Sequence, residues 1–311
     1  MVEDRRHEME PSTQQSLASL HGVRRRYGNT LALDGLDLSL RAGQVTSLLG
    51  ANGAGKTTAV GLLLGLLSAD EGEVRVLGHA PGSAQARLRT GAMLQSAGIP
   101  ERLKVRELLE LVRSYYPQPR SVADCVALAG LDGLLDRRYG KLSGGQQRRV
   151  QFALAICGRP RVLCLDEPTT GLDIEARQGL WKAIRELVAE GSAVLLTTHY
   201  LEEAEALSDR VAVLDRGRLV AEGTVREIRS HVSQRRIRCV TALDAANVLQ
   251  WPGVRDVARE GDALRIIADV AEHVVRRLLD ADPQLHELEV QRAGLSDAFL
   301  EITRNAEKEA A

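Results

Sequence analysis

The sequence predicts an α/β chain: a parallel sheet with helical crossovers, broken by an all-helical insertion and followed by a small α+β unit. Three observations carry that expectation. A glycine-rich loop, residues 50–57, lies between a short strand pattern and an apolar segment of helical length. From Val162 onward, short apolar runs alternate with helical periods, as strands joined by crossover helices do. Beyond about residue 231 a further set of strand and helix patterns reads as a separate domain. A length of 311 residues suits two domains at about 150 residues each.

The elements follow in order. Residues 1–16 are charged and polar and read as a disordered tail, without the apolar core of a secretory signal. Leu36-Asp37-Leu38-Ser39-Leu40 alternates with period two, a half-buried strand, and Arg41-Ala42-Gly43 turns the chain. Residues 45–49 form a buried strand entering the glycine-rich loop, and 58–67 are apolar enough for a core helix. After a strand at 74–77 the pattern turns helical, with Val105, Leu108, Leu109 and Val112 at three-four spacing, in a helical subdomain of about 96–150. A strand at 162–165, a helix over 174–190 stopped at Gly191 and a strand at 193–198 resume the sheet. Asp215-Arg216-Gly217 joins strands 211–214 and 218–221 as a hairpin, and Thr224 with Glu227 makes a capping box. These define a first domain over 17–230. In a second, over 231–311, strands are expected at 236–241, 254–259, 263–267 and 285–291, with helices at 245–250, 271–280 and 296–304.

Composition excludes several functions. Apolar residues make up 44% and charged residues 27%, a globular balance. Lys and Arg number 41 against 42 Asp and Glu, a formal charge of -1, which supplies no concentrated basic face for nucleic acid. The longest run of apolar residues and glycine, 59–67, is far short of the roughly 20 residues that span a bilayer. Four scattered cysteines match neither a disulfide framework nor a metal site and read as reduced, packed thiols.

Gly50-Ala51-Asn52-Gly53-Ala54-Gly55-Lys56-Thr57 fits G-x-x-x-x-G-K-[ST]. Glycines let backbone N–H groups curl around a polyphosphate, and the following helix adds about half a positive charge at its N-terminus. Lys56 would then reach the terminal phosphates and the Thr57 hydroxyl would ligate Mg²⁺. Asp166 and Glu167 close an apolar strand, where a metal held by that loop needs an acidic partner. Asp166 is the choice for it. Should the strand continue through Glu167, that side chain tends to another face, free to polarise an attacking water. Leu142-Ser143-Gly144-Gly145-Gln146 opens an amphipathic helix with Ser143 as N-cap, a second anion site without a lysine.

Together the loop, the LSGGQ segment and Leu165-Asp166-Glu167-Pro168 resemble the ATP-binding subunit of an ABC transporter over about residues 18–230, a P-loop NTPase fold. The resemblance implies ATP and Mg²⁺ as ligands, with Gly50, Asn52, Gly53, Ala54, Gly55, Lys56, Thr57 and Thr58 around the phosphates. It implies that Gln95 meets the metal or the attacking water, that His199 contacts the γ-phosphate and that Tyr27 stacks on adenine. Gly171-Leu172-Asp173 resembles a loop through which two subunits sense each other, and Asp173 is equally a candidate N-cap of the next helix, roles that can coexist. Family members close head to tail as a dimer, so Ser143, Gly144, Gly145 and Gln146 would cover the ATP of the partner. A separate integral membrane permease is implied as the other partner, which would place this chain peripherally at the cytoplasmic face of the membrane.

The region 231–311 and the ending Leu295-Ser296-Asp297-Ala298-Phe299-Leu300-Glu301 resemble drug and antibiotic exporter subunits, which implies export of a small amphiphilic compound. Export of a lipid-linked glycan, haem or an ion fits the nucleotide motifs equally. A soluble ABC-type ATPase acting on ribosomes or DNA is a different class, and its two phosphate loops or long heptad insertions are missing here. No cluster of polar or titratable residues marks a pocket in 231–311, which favours an accessory, dimer-supporting domain over a ligand-sensing one.

Overall fold

The computed structural model describes residues 16–95, 98–230, 235–292 and 294–309. The expected tail over 1–16 lies outside the described residues apart from Ser16. Two compact units divide between Glu222 and Gly223.

The first unit opens on two long antiparallel strands, β1 (Ser16–Tyr27) and β2 (Thr30–Arg41), then β3 (Val45–Leu49), α1 (Lys56–Leu63), β4 (Glu71–Val76), α2 (Ala84–Arg87) and β5 (Thr90–Met93). Three helices follow, α3 (Val105–Arg113), α4 (Val122–Ala129) and α5 (Gly144–Ile156), with a 3₁₀ turn at Tyr139–Lys141. The chain returns to β6 (Val162–Asp166), α6 (Ile174–Ala189), β7 (Ala193–Thr197), α7 (Leu201–Leu207), β8 (Arg210–Asp215) and β9 (Arg218–Gly223). Strand order in the central sheet is β5-β6-β7-β3-β8-β9, with the pairs from β5 to β8 parallel. A second sheet, β2-β1-β4, is antiparallel.

The central strands β3, β6 and β7 are buried at every residue, as expected where helices or sheets cover both faces. Alternation then divides their side chains between two cores. Leu163, Leu165, Val194 and Leu196 join the cluster made by α3 to α6. Val162, Cys164, Ala193 and Leu195 join the cluster under α1 and the antiparallel sheet. Each fully buried leucine contributes about 1.5–3 kcal/mol relative to exposure. All four cysteines are buried free thiols, and burial pushes Cys157 and Cys164 up to about 12.

Local signals set the helix ends. Ser121 caps α4 by accepting from Asp124 N at 3.0 Å, Ser143 caps α5 and Asp173 caps α6. The helix expected over 58–67 instead stops at Leu63, because Gly65 turns left-handed at φ 65° against Gly82. Arg120, buried before α4, donates to Glu190 at the end of α6 and ties the helical insertion to that helix.

In the second unit, α8 (Val225–Ser230) is followed by β10 (Arg235–Val240), α9 (Ala245–Leu249), β11 (Val254–Glu260), β12 (Ala263–Ala268), α10 (Ala271–Ala281), β13 (His286–Arg292) and α11 (Leu295–Glu309). The sheet is antiparallel in the order β11-β12-β10-β13. Its core of Ile237, Cys239, Leu264 and Ile266 closes on Val248, Val274 and Leu278 of α9 and α10. The capping box on α8 forms as expected, Glu227 accepting from Thr224 N at 2.7 Å.

Candidate active site

Strands β5, β6, β7 and β3 lie parallel in that spatial order, so their C-terminal ends make one edge. In open parallel sheets ligands bind beyond that edge. Gln95 follows β5, Asp166 ends β6 with Glu167 just beyond it, His199 follows β7, and loop 50–57 follows β3.

The loop is shaped by close approach of backbone. A Cβ on Gly50 would meet Leu214 O at 2.4 Å, and one on Gly55, at φ 110°, would meet Ala32 O at 2.5 Å. Gly53 sits at φ 81°, Asn52 is exposed and Ala54 is buried. Lys56 opens α1 and curls back, its Nζ donating to Gly50 O at 2.6 Å and Ala51 O at 3.0 Å. Partial burial pushes the Lys56 pKa down, while the charges of Glu167 and Asp166 oppose that shift. The ammonium therefore shares a field with both carboxylates. Thr57 is exposed beside it and Thr58 is half-buried.

Asp166 is buried and oriented by the Thr197 hydroxyl, which donates to Oδ1. The strand does not continue into Glu167. It stops at Asp166, and Glu167 turns left-handed at φ 50°, a conformation that costs a residue with a Cβ about 1–3 kcal/mol. Surrounding bonds hold it there: its N–H donates to Thr197 O at 2.9 Å and its carbonyl accepts from Arg148 Nη2 at 3.1 Å. The carboxylate lies 3.1 Å from His199 Nδ1 and accepts from Thr170 Oγ1 at 3.4 Å.

At the start of α5, Ser143 Oγ accepts from Gln146 N at 3.3 Å and Gln146 Oε1 accepts from Ser143 N at 3.1 Å. Gly144 and Gly145 keep first-turn N–H groups that have no intrahelical acceptor. A Cβ on Gly145 would lie 3.2 Å from Gly171 O and 3.4 Å from Leu172 Cδ2, so the loop before α6 packs on the second of these glycines. Asp173 in that loop accepts from Ala176 N at 2.8 Å, which makes it the helix cap.

The ABC transporter family matches residues 33–170. Across 92% of this chain and 95% of the relative, 38% of residues are identical to a daunorubicin resistance ATP-binding protein, DrrA3, of Streptomyces coeruleorubidus. The chain belongs to the ABC transporter ATPase family. A Nod factor export ATP-binding protein I of Ralstonia nicotianae is 36% identical over 92% of this chain and 94% of its own length. Among solved structures, the ATP-binding subunit of an ABC transporter aligns with a TM-score of 0.64 at 27% identity, covering 69% of this chain and 92% of that one. A dimeric bacterial ABC transporter cassette shares the fold, with a TM-score of 0.61 at 24% identity over 67% of this chain and 98% of that one. As an ABC ATPase subunit of a transporter, this chain binds and hydrolyses ATP.

In this ABC ATPase the sheet edge gathers Gln95, Asp166, Glu167, His199 and Lys56 from four strands. Tyr27 ends β1 and is exposed, and β2, across the hairpin, brings Ala32 O to 2.5 Å from where a Cβ on Gly55 would lie. The Arg25 guanidinium sits 5.1 Å from its ring centroid. The signature residues 143–146 stand on the helical subdomain, apart from the sheet edge in sequence and element. Sequence reasoning missed Arg148, whose Nη1 donates to Leu94 O at 3.1 Å and whose Nη2 reaches Glu167 O. Its only sequence signal is its place two residues beyond the signature. No helix among the described residues is long and apolar enough to cross a membrane.

Proposed function

We propose that this ABC ATPase powers export of a small amphiphilic compound, as a homodimer on a separate permease at the cytoplasmic face of the membrane. The observation that carries this reading is the length of the match. Similarity to a daunorubicin resistance protein and to a Nod factor export protein runs over 92% of the chain, through the second unit as well as the first. The Nod factor relatives keep export of a different cargo class as the second reading.

The site supports the following division of labour. Lys56 and the N–H groups of loop 50–57 grip the phosphates, and Tyr27 stacks on the base. Glu167 takes the proton of the attacking water, and His199, beside it, contacts the γ-phosphate. Thr57, Asp166 and Gln95 present hydroxyl, carboxylate and amide oxygens, a hard donor set suited to Mg²⁺ that takes its remaining ligands from phosphate and water. When bound, Mg²⁺ supplies charge neutralisation to the phosphates. The first-turn amides of Gly144 and Gly145, with Ser143 and Gln146, would cover the partner's γ-phosphate, so that ATP joins two copies. The second unit, 231–311 in the sequence reading, supports that pairing.

Cells lacking this chain should accumulate amphiphilic drugs, and restoring it together with its permease should restore efflux, while Glu167→Gln should not. Unchanged accumulation across a panel of such compounds, beside lost transport of a glycan, haem or an ion, would replace the drug reading with the second one.

A further inference from the structure

Resting on the reading of Gln95 and Glu167 given above, we propose that Arg148 is a positioning residue for ATP hydrolysis, bolting the backbones that carry both groups to the second turn of the signature helix. Strands β5 and β6 are paired up to Met93 and Leu165, so the carbonyls of Leu94 and Glu167 lie at or beyond the end of the ladder. One guanidinium spans them, Nη1 donating to Leu94 O and Nη2 to Glu167 O, both at 3.1 Å. A planar fork with fixed N–H directions can hold two carbonyls at once, which an ammonium cannot do with the same geometry.

The fork is itself held. Nη1 also donates to Gln151 Oε1 at 2.9 Å, and the Gln151 amide donates to Tyr139 Oη at 2.8 Å. A continuous chain thus runs from the turn before the signature, through α5, to the residue preceding Gln95 and to the peptide of Glu167. Glu167 needs such a hold because its φ of 50° is unfavourable; its N–H donates to Thr197 O at 2.9 Å, and its carbonyl, besides the Arg148 bond, accepts a longer one from Thr170 N at 3.4 Å. Without Arg148 the Glu167 carbonyl keeps the longer bond from Thr170 N, at 3.4 Å, so the peptide is loosened and its carboxylate drifts from the line of attack. Any reorientation of α5 when the signature engages a partner's nucleotide is passed directly to the hydrolytic groups of its own subunit. Arg148 makes no bond to loop 50–57, so ATP binding should not depend on it.

The test uses the full chain, with Arg148→Met, Arg148→Lys, Glu167→Gln and the double variant Arg148→Met with Glu167→Gln. Arg148→Met should lower kcat by between about tenfold and 10²-fold while KM for ATP stays within about twofold. Arg148→Lys should recover part of the loss, and in the Glu167→Gln background Arg148→Met should cost less than about twofold more. Where Arg148→Met fails to fold, Gln151→Leu, which frees the guanidinium from its anchor, should show the same split at smaller size. A wild-type kcat in Arg148→Met, a loss confined to KM, or an equal loss in both backgrounds overturns the proposal. Wild-type turnover in Arg148→Met beside an inactive Glu167→Gln discards Arg148 alone, whereas an active Glu167→Gln discards the reading of Glu167 on which it rests.

Discussion

Replacing Glu167 by Gln changes charge with almost no change of shape. The amide fills the same volume, the left-handed backbone is no less tolerable to Gln than to Glu, and the bonds to Thr197 O and from Arg148 belong to the peptide and survive. Thermal stability should therefore stay close to wild type. What disappears, on the proposed reading of Glu167, is the proton acceptor. A positioned general base contributes about 10²–10⁴-fold, or about 2.7–5.4 kcal/mol of barrier at 1.36 kcal/mol per decade. The variant also loses one of the two negative charges that oppose the downward shift of Lys56, and one that faces an incoming triphosphate. ATP affinity should hold or rise while phosphate release under single-turnover conditions falls by about 10²-fold or more. Light scattering with Mg-ATP should then find closed dimers accumulating. Hydrolysis within a few-fold of wild type would remove Glu167 from the mechanism.

Lys56→Ala should lose the stabilisation that Mg-ATP gives wild type, about 2.7 kcal/mol at a hundredfold excess over Kd; equal melting shifts in both proteins would contradict the phosphate assignment. Deleting 224–311 should weaken pairing and spare nucleotide binding, and unchanged dimerisation would refute the supporting role of the second unit. Acid should unfold the second unit partly through Asp282, whose carboxyl is held below its ordinary value by the Thr241 hydroxyl and by the N–H groups of Gln284 and Ala242. A carboxyl depressed in the folded state adds stability that is present above the ordinary pKa, near 3.8, and is lost as pH falls through the lower folded value. Urea midpoints should consequently fall less steeply below about pH 4 in Asp282→Asn than in wild type, and parallel profiles would exclude Asp282 as a contributor.

Much of the first unit was legible because its signals are local. The strand at 45–49, the stop at Gly191, the caps at Ser143 and Asp173 and the turn at Asp215-Arg216-Gly217 each depend on a few neighbouring residues. Strand β1 was not legible, since three consecutive charged residues, Arg24, Arg25 and Arg26, break the period-two alternation that marks a strand. In the structure Arg24 and Arg25 pair across the sheet with Glu71 and Asp70, 47 and 45 residues away, and Arg24 also with Asp34 across the hairpin. The conformation of Glu167 was hidden for the same reason. Nothing in Leu165-Asp166-Glu167-Pro168 announces a left-handed glutamate, because the bonds that stabilise it come from Thr197 and Arg148.

The sequence by itself determined the chemistry: a glycine loop that only glycines can shape, a lysine and a hydroxyl behind it, an acidic pair and a helix start rich in bare amides. Spacing along a chain and the stereochemistry of single residues suffice for that. Tertiary structure alone decided that Gln95, Glu167, His199 and Lys56 stand along one edge in the order β5, β6, β7, β3, although Lys56 comes first in the chain. The physical reason is that β3 is inserted between β7 and β8, burying both its faces and both its edges, so that the earliest strand of the sheet becomes the central one.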